Sequence, residues 1–376
     1  MSNDIASWGW DEGWGSTLRA TLLAEPALAA AAAEGRLAPG RVIADSRGLF
    51  QVAAGPGIAW SRPTGKLWDR IADTSEVPVT GDWVLVEPDG QADKWPLHAV
   101  LPRRSTLSRQ APTDERHAAR EQVLAANVDL LLMVFGLDGG RNFTERGLER
   151  LATIAWQSGA VPVVVLNKSD LAEDAELAAV RAREAAPGAE VVVTSTVTES
   201  GLEALTALLR PGRTAVLTGR SGVGKSSIIN RLAGEDLLAT KASRADDLRG
   251  RHTTSARKMI RLASGALLID TPGLRTLGLW AGEDALDDAF SDIAALAEGC
   301  RFADCAHRGE PGCAVQQALA EGGLDPARYE NYLSLQRELR FLESRQDVRV
   351  QLAEKARMKA LARRIREHNQ ASRKRR

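Results

Sequence analysis

The sequence predicts three units in succession: a small β-barrel, an α/β domain around a mostly parallel sheet, and a helical domain built on a cysteine cluster. Three observations carry this reading. From Gly40 to Leu101 short β-prone runs (RVIADS, LFQVAA, GDWVLVEPDG, LHAVLP) are broken by Gly, Pro and Asp, the pattern of a small all-β unit. From Asn127 the apolar runs VDLLLMVFGLD, VPVVVLNKSD, EVVVTS, TAVLTGRSG and ALLIDTPG alternate with helical stretches such as NFTERGLERLATIAWQSGA; near-continuous apolar strands between helices mean a parallel sheet covered on both faces. After about Gly282 the strands stop, and helix-like segments flank Cys300, Cys305 and Cys313.

Each unit can be bounded. Residues 1–37 form an N-terminal extension with Trp8, Trp10 and Trp14 and an alanine-rich helix through Ala33. The barrel occupies 38–110, the α/β domain 111–282 and the helical domain 283–376, with the polar, proline-bracketed PRRSTLSRQAPTDERHAA as linker. A chain of 376 residues, 44% hydrophobic and 26% charged, buries more than one core, which excludes collagen-like and wholly disordered classes. Lys+Arg and Asp+Glu both number 49, so attraction to nucleic acid must come from local segregation. No run of 18 apolar residues occurs, and the start MSNDIASWGWDEGWG lacks the basic-then-apolar order of a signal peptide. A cytoplasmic protein with no membrane association is the expectation.

The chemistry is concentrated at strand ends. Gly219-Arg220-Ser221-Gly222-Val223-Gly224-Lys225-Ser226 follows the strand TAVLT and opens the helix SSIINRLA, beginning with Ser226 and Ser227. This is the context a phosphate loop requires: glycines let backbone amides turn inward, Lys225 reaches the outer phosphates and Ser226 ligates Mg²⁺. Asp270-Thr-Pro-Gly273 ends the strand ALLI, where the carboxylate reaches Mg²⁺ through water and Gly273 follows the γ-phosphate. Asn167-Lys168-Ser169-Asp170 ends VPVVVL. Its Asp accepts from guanine N1 and N2 while Asn167 orients the base, and adenine offers no such pair of donors, so the motif selects GTP over ATP. Ser195 and Thr196, after EVVV, suit a loop touching the base from the other side.

The order is base recognition, then phosphate loop, then metal-side motif, which is that of a circularly permuted GTPase. Together with GDWV at Gly81–Val84, the segment Gly250-Arg-His-Thr-Thr254 and the cysteine cluster, these motifs resemble the RsgA (YjeQ) family of bacterial GTPases over about residues 40–320. The resemblance implies an OB-fold-like barrel, a permuted GTPase centre, a zinc-bearing helical domain, and assistance to late maturation of the 30S ribosomal subunit through contact with 16S rRNA, by a monomer. Leu274 stands where many GTPases place a water-orienting glutamine, and leucine cannot position water. The resemblance therefore implies a slow enzyme activated by the subunit, with His252 as the polar group of the mobile loop and Thr253 or Thr254 completing the Mg²⁺ shell. A non-hydrolysing GTP-dependent RNA-binding switch and a permuted GTPase of the large subunit are the alternatives.

Cys300-x₄-Cys305-x-His307-x₅-Cys313 offers three thiolates and an imidazole, the ligand set of a closed structural zinc site. Every cysteine of the chain lies in it. Residues 349–376 carry eleven Lys and Arg against Glu354 and Glu367, a tail suited to phosphate contacts. Trp60, Trp68 and Trp83 in the barrel are either stacking platforms for RNA or core.

Overall fold

The computed structural model describes residues 5–46, 48–71, 73–89, 94–110, 121–139, 142–234, 257–270 and 284–340. Five strands close the barrel: β1 (Ala38–Ser46), β2 (Leu49–Ala54), β3 (Gly57–Pro63), β4 (Trp83–Val86) and β5 (Trp95–Val100), in the order β1-β2-β3-β5-β4 with β4 returning to β1. Its interior is filled by Val42, Phe50, Val52, Val84, Trp95 and Leu97. Four strands coincide with the runs read from the sequence. β3 does not: its GIAWSRP is bracketed by glycine and proline, and the hairpin register with β2, from Phe50↔Ser61 to Ala54↔Gly57, recruits it. Trp83 is fully buried, whereas Trp60 and Trp68 are exposed.

Part of the segment read as a linker is also strand. β6 (Thr106–Gln110) pairs antiparallel with β7 (Glu121–Ala126) in a sheet of their own. The α/β domain then follows the expected pattern with β8 (Leu130–Gly136), β9 (Val161–Asn167), β10 (Glu190–Val193), β11 (Thr214–Thr218), β12 (Arg257–Arg261) and β13 (Leu267–Asp270). Their order is β10-β9-β8-β11-β13-β12, parallel except for β12. Strand β12, too short and polar to stand out in the sequence, also pairs with β1 of the barrel, Ala44↔Lys258 and Asp45↔Arg257, reinforced by an Arg257–Asp45 ion pair of 3.0 Å. Barrel and domain thus share one continuous hydrogen-bonded sheet.

The N-terminal extension packs over this junction. Helices span Glu12–Ala24 and Pro26–Ala33, the first capped by Asp11, whose carboxylate accepts from Trp14 N at 2.7 Å and pairs with Arg104 at 3.0 Å. Trp10 meets Trp83 edge-on with ring centroids 4.8 Å apart, and Trp14 lies 6.0 Å from the same ring. Beside them Arg41 of β1 is buried, donating to Trp8 O, Asn127 O and Thr214 Oγ1, each at 3.1 Å. Burial lowers its guanidinium to about 10, so it remains charged at neutral pH.

Of the C-terminal helices, Asp284–Ala289 and 326–340 dock on the helix Glu145–Ser158 of the α/β domain, while Ser291–Ala297 packs against Asp284–Ala289 and Ala314–Glu321. Arg328 reaches Glu149 at 2.8 Å and Asp292 at 2.7 Å, Asn331 bonds the other Glu149 oxygen, and Arg150 grips Glu338 with two bonds. Desolvation pushes the Glu149 carboxyl up, and Asn331 and Arg328 oppose that push.

Replacing Arg41 strands three acceptors at the junction of extension, barrel and α/β domain. Arg41→Ala is expected to cost about 3 kcal/mol, since each orphaned buried acceptor costs on the order of 1 kcal/mol or more. The check is the midpoint of chemical unfolding followed by tryptophan fluorescence; an unchanged midpoint contradicts the assignment.

Candidate functional site

Ligands of open α/β sheets bind beyond the carboxyl ends of the strands, and those ends carry nearly every residue singled out above. Along the sheet order the loops follow one another: Ser195 and Thr196 after β10, Asn167–Asp170 after β9, Asp138 after β8, the phosphate loop after β11, and Asp270 closing β13. The phosphate loop turns on Gly219, Gly222 and Gly224, with φ of 141°, 88° and 101°. A Cβ on Gly219 would lie 2.2 Å from Val134 O, and one on Gly224 2.1 Å from Asn167 Nδ2, so side chains are excluded by space as well as by conformation. Gly224 caps the helix Lys225–Ala233, whose first turn holds Ser226 and Ser227, both half-buried. Lys225 curls over the loop, its ammonium donating to the carbonyls of Gly219 and Arg220, both at 2.7 Å. Arg220 and Ser221 are exposed, and Val223 is buried.

On the base side the first residue of the motif is already engaged by protein partners. Asn167 is buried, donates through Nδ2 to Val223 O at 2.8 Å and accepts through Oδ1 from Thr194 Oγ1 at 3.2 Å. Its amide therefore ties the base loop to the phosphate loop and to the loop after β10. Ser195 Oγ donates to one Asp170 carboxylate oxygen and accepts from the amides of Val197 and Thr198 at 3.2 Å. Asp170, otherwise exposed, is thereby aimed with its other oxygen free of protein donors among those described. Ser169 N donates to Thr194 O at 3.1 Å, and Thr196 is half-buried beside it.

Asp270 is the last residue of β13, and the register Val216↔Ile269 brings it alongside the end of β11 where the phosphate loop starts. Desolvation raises its carboxyl above the ordinary value. Gly273, Leu274, His252, Thr253, Thr254 and the basic stretch 349–376 lie outside the described residues. The sequence reading missed Asp138 and Asn142. Asp138 pairs with Lys168 and accepts from Asn142 at 2.9 Å; the only signal was an Asp just past a glycine that ends an apolar run.

A second centre lies in the C-terminal module. The ligand atoms of Cys300, Cys305, His307 and Cys313 all fall within 4.8 Å of one another. Cys300 and Cys313 sulfurs are 3.8 Å apart, and each is 3.5 Å from His307 Nδ1. A tetrahedral ion with metal–sulfur bonds of about 2.3 Å has sulfur–sulfur edges of about 3.8 Å, so the residues fit such a group. His307 takes a left-handed conformation (φ 57°), and its carbonyl accepts from Tyr329 OH and from Gln316 Nε2. These bonds from the following helices fix the orientation of the ligand loop.

Strand order, phosphate loop and base loop define a P-loop GTPase domain of permuted sequence order. The RsgA GTPase family profile matches residues 100–280. A protein of Opitutus terrae called small ribosomal subunit biogenesis GTPase RsgA is 43% identical over 332 residues, 86% of this chain and 89% of its own length. A protein of the same name from Streptomyces avermitilis is 41% identical over 356 residues, 93% of this chain and 89% of its own. Among solved structures, YjeQ from Thermotoga maritima superposes with a TM-score of 0.60 at 25% identity, over 81% of this chain and 98% of that one. YloQ, described as a circularly permuted GTPase, gives 0.56 at 23% identity over 81% and 95%. The chain belongs to the RsgA GTPase family.

Gly224→Ala tests the crowding at the centre of the site. A methyl group there must displace the Asn167 amide and occupy a strained φ, so GDP affinity measured by calorimetry is expected to fall by at least about tenfold, a loss of roughly 1.4 kcal/mol. Retention of full affinity contradicts the tie between the two loops.

Proposed function

We propose that this protein binds the 30S ribosomal subunit, assists its late maturation, and hydrolyses GTP to GDP and phosphate with activation by the subunit. The observation that carries the nucleotide chemistry is the Asn167–Val223 bond, which joins a guanine-selecting loop to a phosphate loop 56 residues later in the chain. The subunit as partner rests on relatives about 40% identical over most of the chain that are named for its biogenesis. The domain limits 1–37, 38–110, 111–282 and 283–376, the monomeric state, contact with 16S rRNA and a cytoplasmic location belong to the same proposal. So do the roles of the individual site residues.

In this reading Asp170, steadied by Ser195, accepts the guanine N1 and N2 protons, with Ser169 and Thr196 shaping the loops beside it. Lys225 exchanges its carbonyl partners for the outer phosphates, and the amides from Gly219 to Ser227 surround them. Ser226 and Asp270 would hold Mg²⁺, which supplies charge neutralisation between the phosphates. His252, Thr253, Thr254 and Gly273 form the γ-phosphate side. With Leu274 unable to orient water, the subunit completes that side. Cys300, Cys305, His307 and Cys313 would hold one structural zinc ion, whose role is to stabilise the loop that the helices around it cannot close alone.

Two measurements test the proposal. GTP turnover titrated with purified 30S subunits should rise at least about tenfold at saturation, equivalent to roughly 1.4 kcal/mol of barrier. Binding to the subunit without turnover would favour the non-hydrolysing switch, and stimulation by 50S subunits alone would favour a large-subunit factor. For the metal, protein purified without chelators should contain one zinc per chain, lost in Cys305→Ser. Chelation should loosen the C-terminal helices to proteolysis and leave GDP affinity within about twofold, since metal and nucleotide sites are carried by separate elements.

A further inference from the structure

The loop after β8 lies between the base-recognition loop and the phosphate loop in the sheet order β10-β9-β8-β11. A nucleotide with its base beside Asp170 and its phosphates in the Gly219–Ser226 loop must pass across that loop. Two residues meet there. Lys168, in a left-handed conformation (φ 65°), sends its ammonium from the β9 loop to the Asp138 carboxylate just beyond β8, at 2.5 Å. Asn142 donates to the other Asp138 oxygen at 2.9 Å. Leu137 N donates to Asn167 O at 2.9 Å, extending the β8–β9 pairing to the pair itself. Gly136 completes the arrangement: a Cβ there would come within 3.1 Å of Asp138 Oδ1 and 3.5 Å of Val223 Cα, so the acidic loop and the phosphate loop are packed close together.

The pair is neither a surface ornament nor a core contact. Side-chain exposures of 26% for Lys168 and 23% for Asp138 leave it partly shielded and still reached by solvent. Hydrogen bonding from Lys168, then from Asn142, holds the Asp138 carboxyl below the usual carboxylate range. It is therefore charged at neutral pH, and the lysine has a lasting partner. In an α/β site of this kind the stem of a lysine so tethered forms a wall of apolar methylenes with its charge anchored at the far end.

We propose that Asp138 is a positioning residue for the guanine nucleotide: by anchoring Lys168 across the gap between base loop and phosphate loop, it sets the lysine stem as the wall against which the nucleoside rests. The inference rests on the GTP-binding reading above and adds a residue to it. Because the wall meets the nucleoside and not the γ-phosphate, its loss weakens GDP and GTP equally. It enters the reaction as binding common to ground and transition states, so KM rises while kcat holds.

The test is calorimetric GDP and GTP-analogue affinity together with steady-state GTP turnover, in the full chain. Asp138→Asn should weaken both ligands about tenfold and raise KM by the same factor, with kcat within about twofold. Lys168→Met should do the same, and the double variant should lose no more than about twofold beyond either single one, because the two act as one unit. Asp138→Glu, which keeps the charge, should stay within about threefold of wild type, a rescue that a purely structural role does not produce. The thermal transition without nucleotide should be unchanged in all variants. Unaltered affinity in Asp138→Asn, additive losses in the double variant, or a fall in kcat at constant KM each overturn the proposal. Failure of the wild-type chain to bind either nucleotide overturns the GTPase reading itself, and the inference with it.

Discussion

The Asn167 amide is the contact on which the nucleotide site depends. Its nitrogen holds Val223 of the phosphate loop, its oxygen is held by Thr194, and its backbone carbonyl accepts from Leu137. The loops after β8, β10 and β11 thus all bond one fully buried residue at the end of β9. Removing the amide would leave the Val223 carbonyl and the Thr194 hydroxyl buried without this partner, a cost far above that of a solvated bond. The same crowding explains why position 224 must be glycine: the amide occupies the volume that a Cβ would need. In a permuted chain the base loop comes first and the phosphate loop must be brought to it. A short polar side chain with a donor and an acceptor does so without filling the ligand space.

Arg41 plays a comparable part at the opposite, amino-terminal ends of the strands. A charged group at 2% exposure is tolerated because three acceptors from three parts of the chain surround it and the face of Trp83 lies 4.9 Å away. Its partners Trp8, Asn127 and Thr214 belong to the extension, the segment after β7 and the first residue of β11. Extension, barrel and GTPase domain thus meet at one desolvated cation. The tryptophans of the extension shield it from water, which strengthens each of its bonds.

The elements most legible in the sequence were those whose signal is local. Strands β8, β9, β11 and β13 are continuous apolar runs, the last three ending at motif residues, and Cys300, Cys305, His307 and Cys313 sit within fourteen consecutive positions. What escaped the sequence depends on distant partners. Trp8, Trp10 and Trp14 have no meaning until Trp83 and Arg41 are placed beside them. Strand β12, RKMIR, carries three basic residues in five and is stabilised from both sides, by β13 and by β1. Asp138 is one acidic residue among many at a strand end, and only the reach of Lys168 distinguishes it. Asn167 was legible as a motif member, but its bond to the Val223 carbonyl 56 residues away was not.

The pairing of β1 with β12 makes the barrel a handle. The seam is two registered residue pairs long, Ala44↔Lys258 and Asp45↔Arg257. On its inner side β12 runs antiparallel to β13, with Lys258 opposite Asp270, and it begins three residues after Thr254. A displacement of β1 is passed through these pairings to the strand that lies, in sequence, between Thr254 and Asp270. Hydrogen bonds, with no intervening loop, are what join the barrel to the strand beside Asp270.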